Sequence, residues 1–408
     1  MSDVSSRHRK SLYAQLRQSS RGRWALRIIG FLLLTGIFSE VLSNDKPIYC
    51  RLDGKTYFPV FREFAFHLGL SDFDTLFFSG QAKSYTYEAA IFPLIPYKAT
   101  ESDLKNYFKS PLEEQTTSGR FRHWLGTHDN GQDVAAGLIA GTRSALLVGF
   151  LATLIAGILG IFLGSIAGFW GDDRLRVSRI RLWMNLLGLL AIIFYVFISP
   201  GLRRFILPDS PFLSGVIILV LILIFCNLLV YIVKKIPYFS HKVTIPADLL
   251  IMRLIEIKNA LPALLLLLVA VAWIKKPSVY YVIAIIGVLE SSLIARFMRG
   301  ELLRVRSLDY IEAARAMGFS DRRILWNHAL ANAISPVLVV FSFSVAGAII
   351  LESSISFMGI GNYATTVTWG SLLSQANVHL WWLALFPGLM IFMTVLAFNA
   401  VGEEMGKR

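Results

Sequence analysis

Charge is scarce in this sequence: 16% of its 408 residues are Asp, Glu, Lys or Arg, against about 25% in an average soluble domain. A soluble fold has no use for 55% hydrophobic residues, so the bilayer is the expected solvent. Acid is scarcer than base, 27 against 40, for a formal net charge of +13. In a soluble protein that excess would point to nucleic acid. Here no groove-reading motif accompanies it, and the basic residues cluster beside apolar runs as the positive-inside rule expects, so no nucleic-acid partner is expected. Cysteine is nearly absent. Cys50 and Cys226 fall in different layers of the expected topology, which argues against a disulfide, and no Cys/His cluster suggests a metal. His67, His123, His128, His241, His328 and His379 show no ligand spacing and are expected at surfaces or interfaces. Neither H-E-x-x-H nor G-x-S-x-G occurs. Gly54-Lys55-Thr56 ends like a phosphate loop, but Tyr49 stands where the first glycine is required, so no nucleotide site is expected there.

What is present is a succession of apolar runs. Residues 1–24 form a basic tail, with Arg7, Arg9, Lys10, Arg17, Arg21 and Arg23 against Asp3. The first span follows at 25–43. Its long basic flank and the lack of an A-x-A site favour a retained anchor over a signal peptide. Residues 44–142 are aromatic-rich and read as a small folded lobe on the outer side. The second span, 143–170, carries Ala156, Gly160, Gly164 and Gly168, a small-residue stripe for close helix packing. Residues 171–246 contain two further apolar runs, 182–199 and 212–233. Arg174, Arg176, Arg179 and Arg181 precede them, Arg203, Arg204, Pro208 and Pro211 lie between, and Lys234, Lys235 and Lys242 follow.

The fifth span is expected at 248–273. Its first half is amphipathic, and Arg253 and Glu256, three residues apart, can face each other. Spans at 277–298, 332–352 and 379–400 follow, then a tail at 403–408. The expected fold is an all-α polytopic membrane protein of about eight spans, with both termini in the cytoplasm of a bacterium and the chain in its inner membrane. Trp369, Trp381 and Trp382 suit an interfacial aromatic belt. Glu290 lies mid-span, where a charge costs roughly 2.5–3.5 kcal/mol. Two readings of it stand open: a pathway-lining or helix-bridging carboxylate, or an acid hydrogen-bonded to Ser291, Ser292 or a neighbouring helix. Glu352 is expected to reach the outer interface.

The charged segment 299–330, between two spans, is the most informative. Leu308, Ile311, Ala314 and Ala316 form an apolar ridge among Asp309, Glu312, Arg315, Asp321, Arg322 and Arg323. The pattern predicts a short helix stopped by Gly318. It reads as a docking helix on the inner membrane face, its ridge for contact and its charges for register, with Ala313 and Ala314 permitting close approach. An ordinary amphipathic surface helix is the alternative.

Glu312-Ala313-Ala314, three residues, then Gly318 resembles the EAA loop of binding-protein-dependent ABC importer permeases. The longer run DYIEAARAMGFSDRRI is similar to their dipeptide/oligopeptide branch. Leu330-Ala331-Asn332 stands where that family usually has Leu-Pro-Asn. Leu125-Gly126-Thr127 with Asn130-Gly131-Gln132-Asp133 resembles the family's LGTD-x-x-GRD segment, with Gln132 replacing an arginine and losing any salt bridge made there. The run from Glu352 through Ser356, Phe357 and Gly359 to Gly361, and the segments from Trp369 to Leu373 and from Trp382 to Gly402, resemble its last core spans. Asn44 to Pro47 and Asp53 to Pro59 resemble a sub-branch linked to microcin C-type peptide uptake.

The resemblance implies a type I importer fold of six core spans, with 247–402 as the permease core and 171–246 as an inserted hairpin. Asp309, Glu312, Ala313, Ala314, Arg315 and Gly318 would couple to the ATPase; Glu290, Glu256 and Arg253 remain pathway or bridging candidates. Implied partners are two ATPase subunits, a sister permease, an extracytoplasmic substrate-binding protein and membrane lipid. No cofactor or metal is expected on this chain, ATP-Mg belonging to the ATPases, and no catalytic residue is expected. The rival classes are a secondary transporter or channel built on Glu290, which needs paired intramembrane acids or discontinuous helices, and a membrane enzyme, which needs convergent catalytic groups.

Overall fold

The computed structural model describes residues 16–67, 69, 81–83, 85–117, 119–194, 211–233, 241–274, 278–360 and 366–407. The expectations for Arg7, Arg9 and Lys10, for residues 195–199, for Arg203, Arg204 and Pro208, and for Lys234, Lys235 and Gly361 lie outside them. The chain divides into one unit of Met1–Gly164 with Ile255–Arg408 and a second of Ser165–Leu254.

The first unit opens with α1 (Ser20–Ile37), capped by the Ser19 hydroxyl, which accepts from the Gly22 amide. After the short α2 (Ser39–Leu42) the chain enters the lobe. There β1 (Tyr49–Leu52), β2 (Lys55–Tyr57) and β3 (Ala89–Ile91) make an antiparallel sheet in the order β2-β1-β3, and α3 (Pro59–His67) follows β2. Asp53 and Gly54 both have positive φ, 51° and 74°, the geometry of a two-residue hairpin turn. The fragment resembling a phosphate loop is therefore a hairpin, with Lys55 and Thr56 in β2.

Next comes α4 (Val134–Ser165), which begins well before the expected start of the second span because Asp133 caps it: the Ala136 amide donates to Asp133 Oδ1 at 2.7 Å. Gly160 and Gly164 of the small-residue stripe face α9 (Val279–Val305). A Cβ on Gly164 would stand 2.5 Å from the Ala295 carbonyl oxygen, a backbone approach only glycine allows. Gly168, the last member, falls in the second unit, within the π-helical turn Ile166–Trp170.

The expected fifth span is broken. It comprises α7 (Ala247–Asn259) and α8 (Ala263–Ala272), bent by 83°. Pro262 has no amide hydrogen and biases Leu261 away from helical geometry, which explains the break. At 1.5 Å per residue, the 10 residues of α8 rise about 15 Å, half a bilayer core. Further on come α10 (Asp309–Ala316), α11 (Asp321–Ile324), α12 (Leu330–Phe357), α13 (Trp369–Leu373) and α14 (Trp381–Gly406). α12 packs against both α9 and α14, and α14 also against α1. Val345, Ala346 and Ile349 of α12 meet Leu138, Ala145 and Leu146 of α4 in the main core, with Trp369 and Leu383.

Two tryptophans expected in an interfacial belt are core residues. Trp369 is fully buried and its indole donates to the Leu138 carbonyl at 3.0 Å; Trp382 donates to the Thr127 carbonyl at 3.2 Å. Buried indoles need such acceptors. Trp381 alone of the three is exposed.

In the second unit, α5 (Arg179–Ile193) packs against α6 (Pro211–Val233). An antiparallel ribbon of β4 (Arg176–Ser178) and β5 (Lys242–Thr244) pairs Val177 with Val243. The two free cysteines, Cys50 on β1 and Cys226 on α6, are buried.

Among the described residues, four helices are long and apolar enough to cross a membrane: Val134–Trp170, Val279–Val305, Asp321–Phe357 and Trp381–Gly406. The bent α7–α8 pair makes a fifth if it is one span, and Ile217–Tyr231 is a shorter apolar helix. The chain is an all-α polytopic membrane protein with five short strands among its described residues.

Candidate functional site

The charged segment between α9 and α12 folds as expected. α10 starts after Leu308, with Asp309 and Glu312 in its first turn and Arg315 in its last, the polarity that a helix dipole favours. Gly318, at φ +82°, ends it. The Phe319 amide donates to the Ala314 carbonyl at 3.1 Å and the Gly318 amide to the Arg315 carbonyl at 2.8 Å, a Schellman termination. Arg315 reaches back to Asp321 of α11 at 3.5 Å.

The expected apolar ridge is divided between two faces. Ile311 and Ala314 are buried, so they seat α10 on its own chain, while Leu308 and Ala316 are exposed with Tyr310, Glu312, Ala313 and Met317. The physical reason is that a short helix bridging two spans buries its best apolar face first. A side-chain bond adds to this seat: Asn332 Nδ2 at the start of α12 donates to the Tyr310 hydroxyl at 2.9 Å. His328 stacks on Phe319 with ring centres 6.2 Å apart, and the Arg323 guanidinium lies 4.7 Å above the same ring. With Ala331 where the family usually carries proline, the chain from Asp321 to Phe357 runs as one helical element through the π-turn Leu325–Ala329.

The membrane-depth acids separate into two cases. Glu352 was expected at the outer interface and is instead buried in α12, accepting from Ser356 Oγ at 2.7 Å and Ser353 Oγ at 3.4 Å. A buried acid takes hydroxyl donors from its own helix, here the next residue and the one a turn further on. Glu290 of α9 is half-buried and its carboxyl lies against Gly347 of α12, about 3.5 Å from where a Cβ there would stand. Ser291 does not serve it, donating to the Val288 carbonyl instead. The neighbouring cation is Lys258 at the end of α7, whose ammonium donates to the Leu289 carbonyl at 2.6 Å. Arg253 and Glu256 are exposed on α7.

Sequence reasoning missed a buried polar cluster where the lobe meets the start of α4. His123 was expected at a surface and is fully buried. Its Nδ1 is 2.8 Å from Asp133 and its Nε2 3.4 Å from Asp103, and its ring stacks on Tyr97 at 4.0 Å. Burial alone would raise the Asp103 carboxyl, but the Asn106 and His123 hydrogen bonds outweigh it and hold it below its ordinary range. Lys83 sits 3.6 Å above the Tyr97 ring and pairs with Glu101 at 2.6 Å; burial pushes Lys83 down and Glu101 up. His128, also buried, contacts Gln132 Oε1 at 2.7 Å. Gly131, at φ +68°, closes this turn with a Cβ position only 2.0 Å from the Asp103 carbonyl oxygen. Among the described residues, no group of three or more His, Cys, Asp or Glu could hold a metal.

Residues 243–405 match the family of binding-protein-dependent transport system inner membrane components. The chain is 25% identical over 405 residues to the inner membrane ABC transporter permease protein YejE of Escherichia coli (strain K12), covering 96% of this chain and 94% of that protein. It is 37% identical over 161 residues to a putative peptide transport system permease protein of Brucella suis biovar 1, but spans only 54% of it. It is 28% identical over 316 residues to the glutathione transport system permease protein GsiD of Pectobacterium atrosepticum, covering 76% of this chain and 78% of that protein. The first similarity takes in the lobe and the α5–α6 hairpin; the second is a partial match.

Proposed function

We propose, from the match of residues 243–405 to the family of binding-protein-dependent transport system inner membrane components, that this chain is the transmembrane permease subunit of an ATP-driven importer of peptides. It forms half of the translocation pathway, and a sister permease forms the other half. Two ATPase subunits bind and hydrolyse Mg-ATP and engage this chain at α10; the chain does no chemistry itself. A binding protein on the outer face delivers the peptide. Both termini lie in the cytoplasm, with α1, α5 and α6 counted as spans beside the apolar helices described above. The names of the relatives, a peptide permease and a glutathione permease, support the cargo class.

The observation that carries this reading is the build of α10. It is held from behind by Ile311 and Ala314, stopped sharply at Gly318, and presents Glu312 and Ala313 outward between two long apolar helices. The Tyr310–Asn332 bond ties it to α12, which packs on α9 and α14. Movement of an ATPase groove holding α10 therefore passes to the helices around the pathway, through rigid packing and without a flexible linker.

The test is co-purification in detergent of tagged wild type, Glu312→Arg and Gly318→Pro, with neighbouring genes co-expressed. The expected result is that wild type retains an ATPase and a sister permease, while both variants lose the ATPase and keep the permease. Absence of any ATPase on wild type would sink the proposal and bring forward a secondary transporter working through Glu290.

A further inference from the structure

A cavity of 480 Å³ opens between the lobe and the ends of α4 and α9 nearest to it, within the range of about 300–1,000 Å³ usual for small-ligand sites. It mixes apolar and charged walls. Ile139 and Leu147 of α4 and Tyr280 of α9 supply the first; Arg143 of α4, Lys98 of the lobe and Glu40 of α2 supply the second. Two cations thus face one acid. Arg143 gives a single nitrogen, Nη1, to Glu40 Oε1 at 3.0 Å. Its remaining N–H groups have no partner among the described residues, and its side chain is half exposed to the cavity. A guanidinium held on one side and open on the other is prepared for a bidentate carboxylate. Lys98 is held in the same way, its ammonium 3.0 Å from Glu63 Oε1, which lies outside the cavity lining. Lys98, Glu63 and Lys46 form a connected set, since Glu63 also bonds Lys46 at 3.3 Å.

We propose that this cavity receives the carboxy-terminal carboxylate of a peptide, on Arg143 and Lys98, with Glu40 as the residue that orients Arg143. The proposal rests on the permease reading and deepens it by giving that pathway an outer acceptor site. The apolar wall of Ile139, Leu147 and Tyr280 takes the last side chain without demanding one identity. A main-chain carboxylate common to all peptides is thereby recognised while the sequence is not.

The test uses the co-purified complex with its binding protein in liposomes. The probes are a degenerate tetrapeptide mixture with free carboxyl ends and the same mixture as carboxy-terminal amides, with uptake read by mass spectrometry. Wild type is expected to favour the free acids roughly tenfold or more, the scale of a charge-assisted contact. Arg143→Gln removes that preference by raising the KM for the acids more than for the amides; Arg143→Lys keeps part of it. The exchanged pair Glu40→Arg with Arg143→Glu restores the contact between α2 and α4 but puts the cation on the wrong element, so acid preference stays lost. Equal uptake of acids and amides by wild type overturns the proposal. So does an unchanged preference in Arg143→Gln, or its return in the exchanged pair, which would make the ion pair a purely structural tie. Failure of wild type to retain an ATPase is a separate result and counts against the permease reading instead.

Discussion

Gly318 permits a graded test of how α10 works. Its φ is +82° and no atom lies within 4 Å of where a Cβ would stand. Substitution there meets no clash inside this chain, and only the backbone resists. Ala in the left-handed region costs roughly 1–2 kcal/mol, which lowers the population of the native turn by a factor of about 5–30. Asn tolerates that region and should retain most of it. Val adds β-branching and should be worse than Ala. Pro fixes φ near −65° and also deletes the amide that donates to the Arg315 carbonyl at 2.8 Å. The expected order for retained ATPase, and for peptide-stimulated ATP hydrolysis by the purified complex, is Gly, Asn, Ala, Val, Pro. If Asn falls as low as Val, the reasoning is refuted. The side chain itself would then be what the partner rejects, and Gly318 would be a contact point where the partner's surface touches bare backbone.

Three other expectations follow from the geometry. Gly164→Leu should separate α4 from α9, because its Cβ position is 2.5 Å from the Ala295 carbonyl oxygen; overpacking of this kind costs about 1–3 kcal/mol, and a lowered Tm in detergent would show it. Glu352→Gln should be nearly neutral because its amide oxygen still accepts from Ser356 while its NH2 donates to the Ser353 hydroxyl oxygen in place of the second bond, whereas Glu352→Ala strands both hydroxyls and should cost about 1–3 kcal/mol in the same assay. Glu63 gives the lobe an acid-side limit. Burial acts to raise its carboxyl, but the hydrogen bond and charge of Lys98, with Lys46, outweigh it and set it below its ordinary 4.5. A depressed folded value means that the stabilisation is complete above about 4.5 and fades as pH falls through the depressed value. Hydrogen-exchange protection factors across the lobe should fall on acidification, and Glu63→Gln should show lower protection at pH 7 and a flatter acid response.

How much of this was legible in the sequence depended on how far each signal had to travel. α10 and its stop were readable because an apolar ridge with charged flanks and a glycine terminator lie within about ten residues of each other. The long helices announced themselves by hydropathy alone. The break between α7 and α8 also had a local signal, Pro262, which a continuous apolar run overrode. Facing was another matter. Ile311 and Ala314 make the same stripe whether they dock a partner or seat the helix at home, and only the position of α12 decides it. His123 and Trp369 were unreadable for a stronger reason: Asp103 and Asp133 in one case, and the Leu138 carbonyl in the other, become neighbours only through the tertiary fold. Strands of three residues, such as β4 and β5, carry too little periodicity to register.

The two buried indoles have a consequence for the order in which this chain is made. Trp369 bonds the Leu138 carbonyl across 231 residues, and Trp382 the Thr127 carbonyl across 255. Both acceptors lie at or near the first turns of α4, which leaves the ribosome long before either tryptophan. The lobe and α4 must therefore wait in the membrane, their ends unfastened, through the synthesis of the hairpin, α9 and α12. The chain is finished only when its last two helices have clasped its beginning.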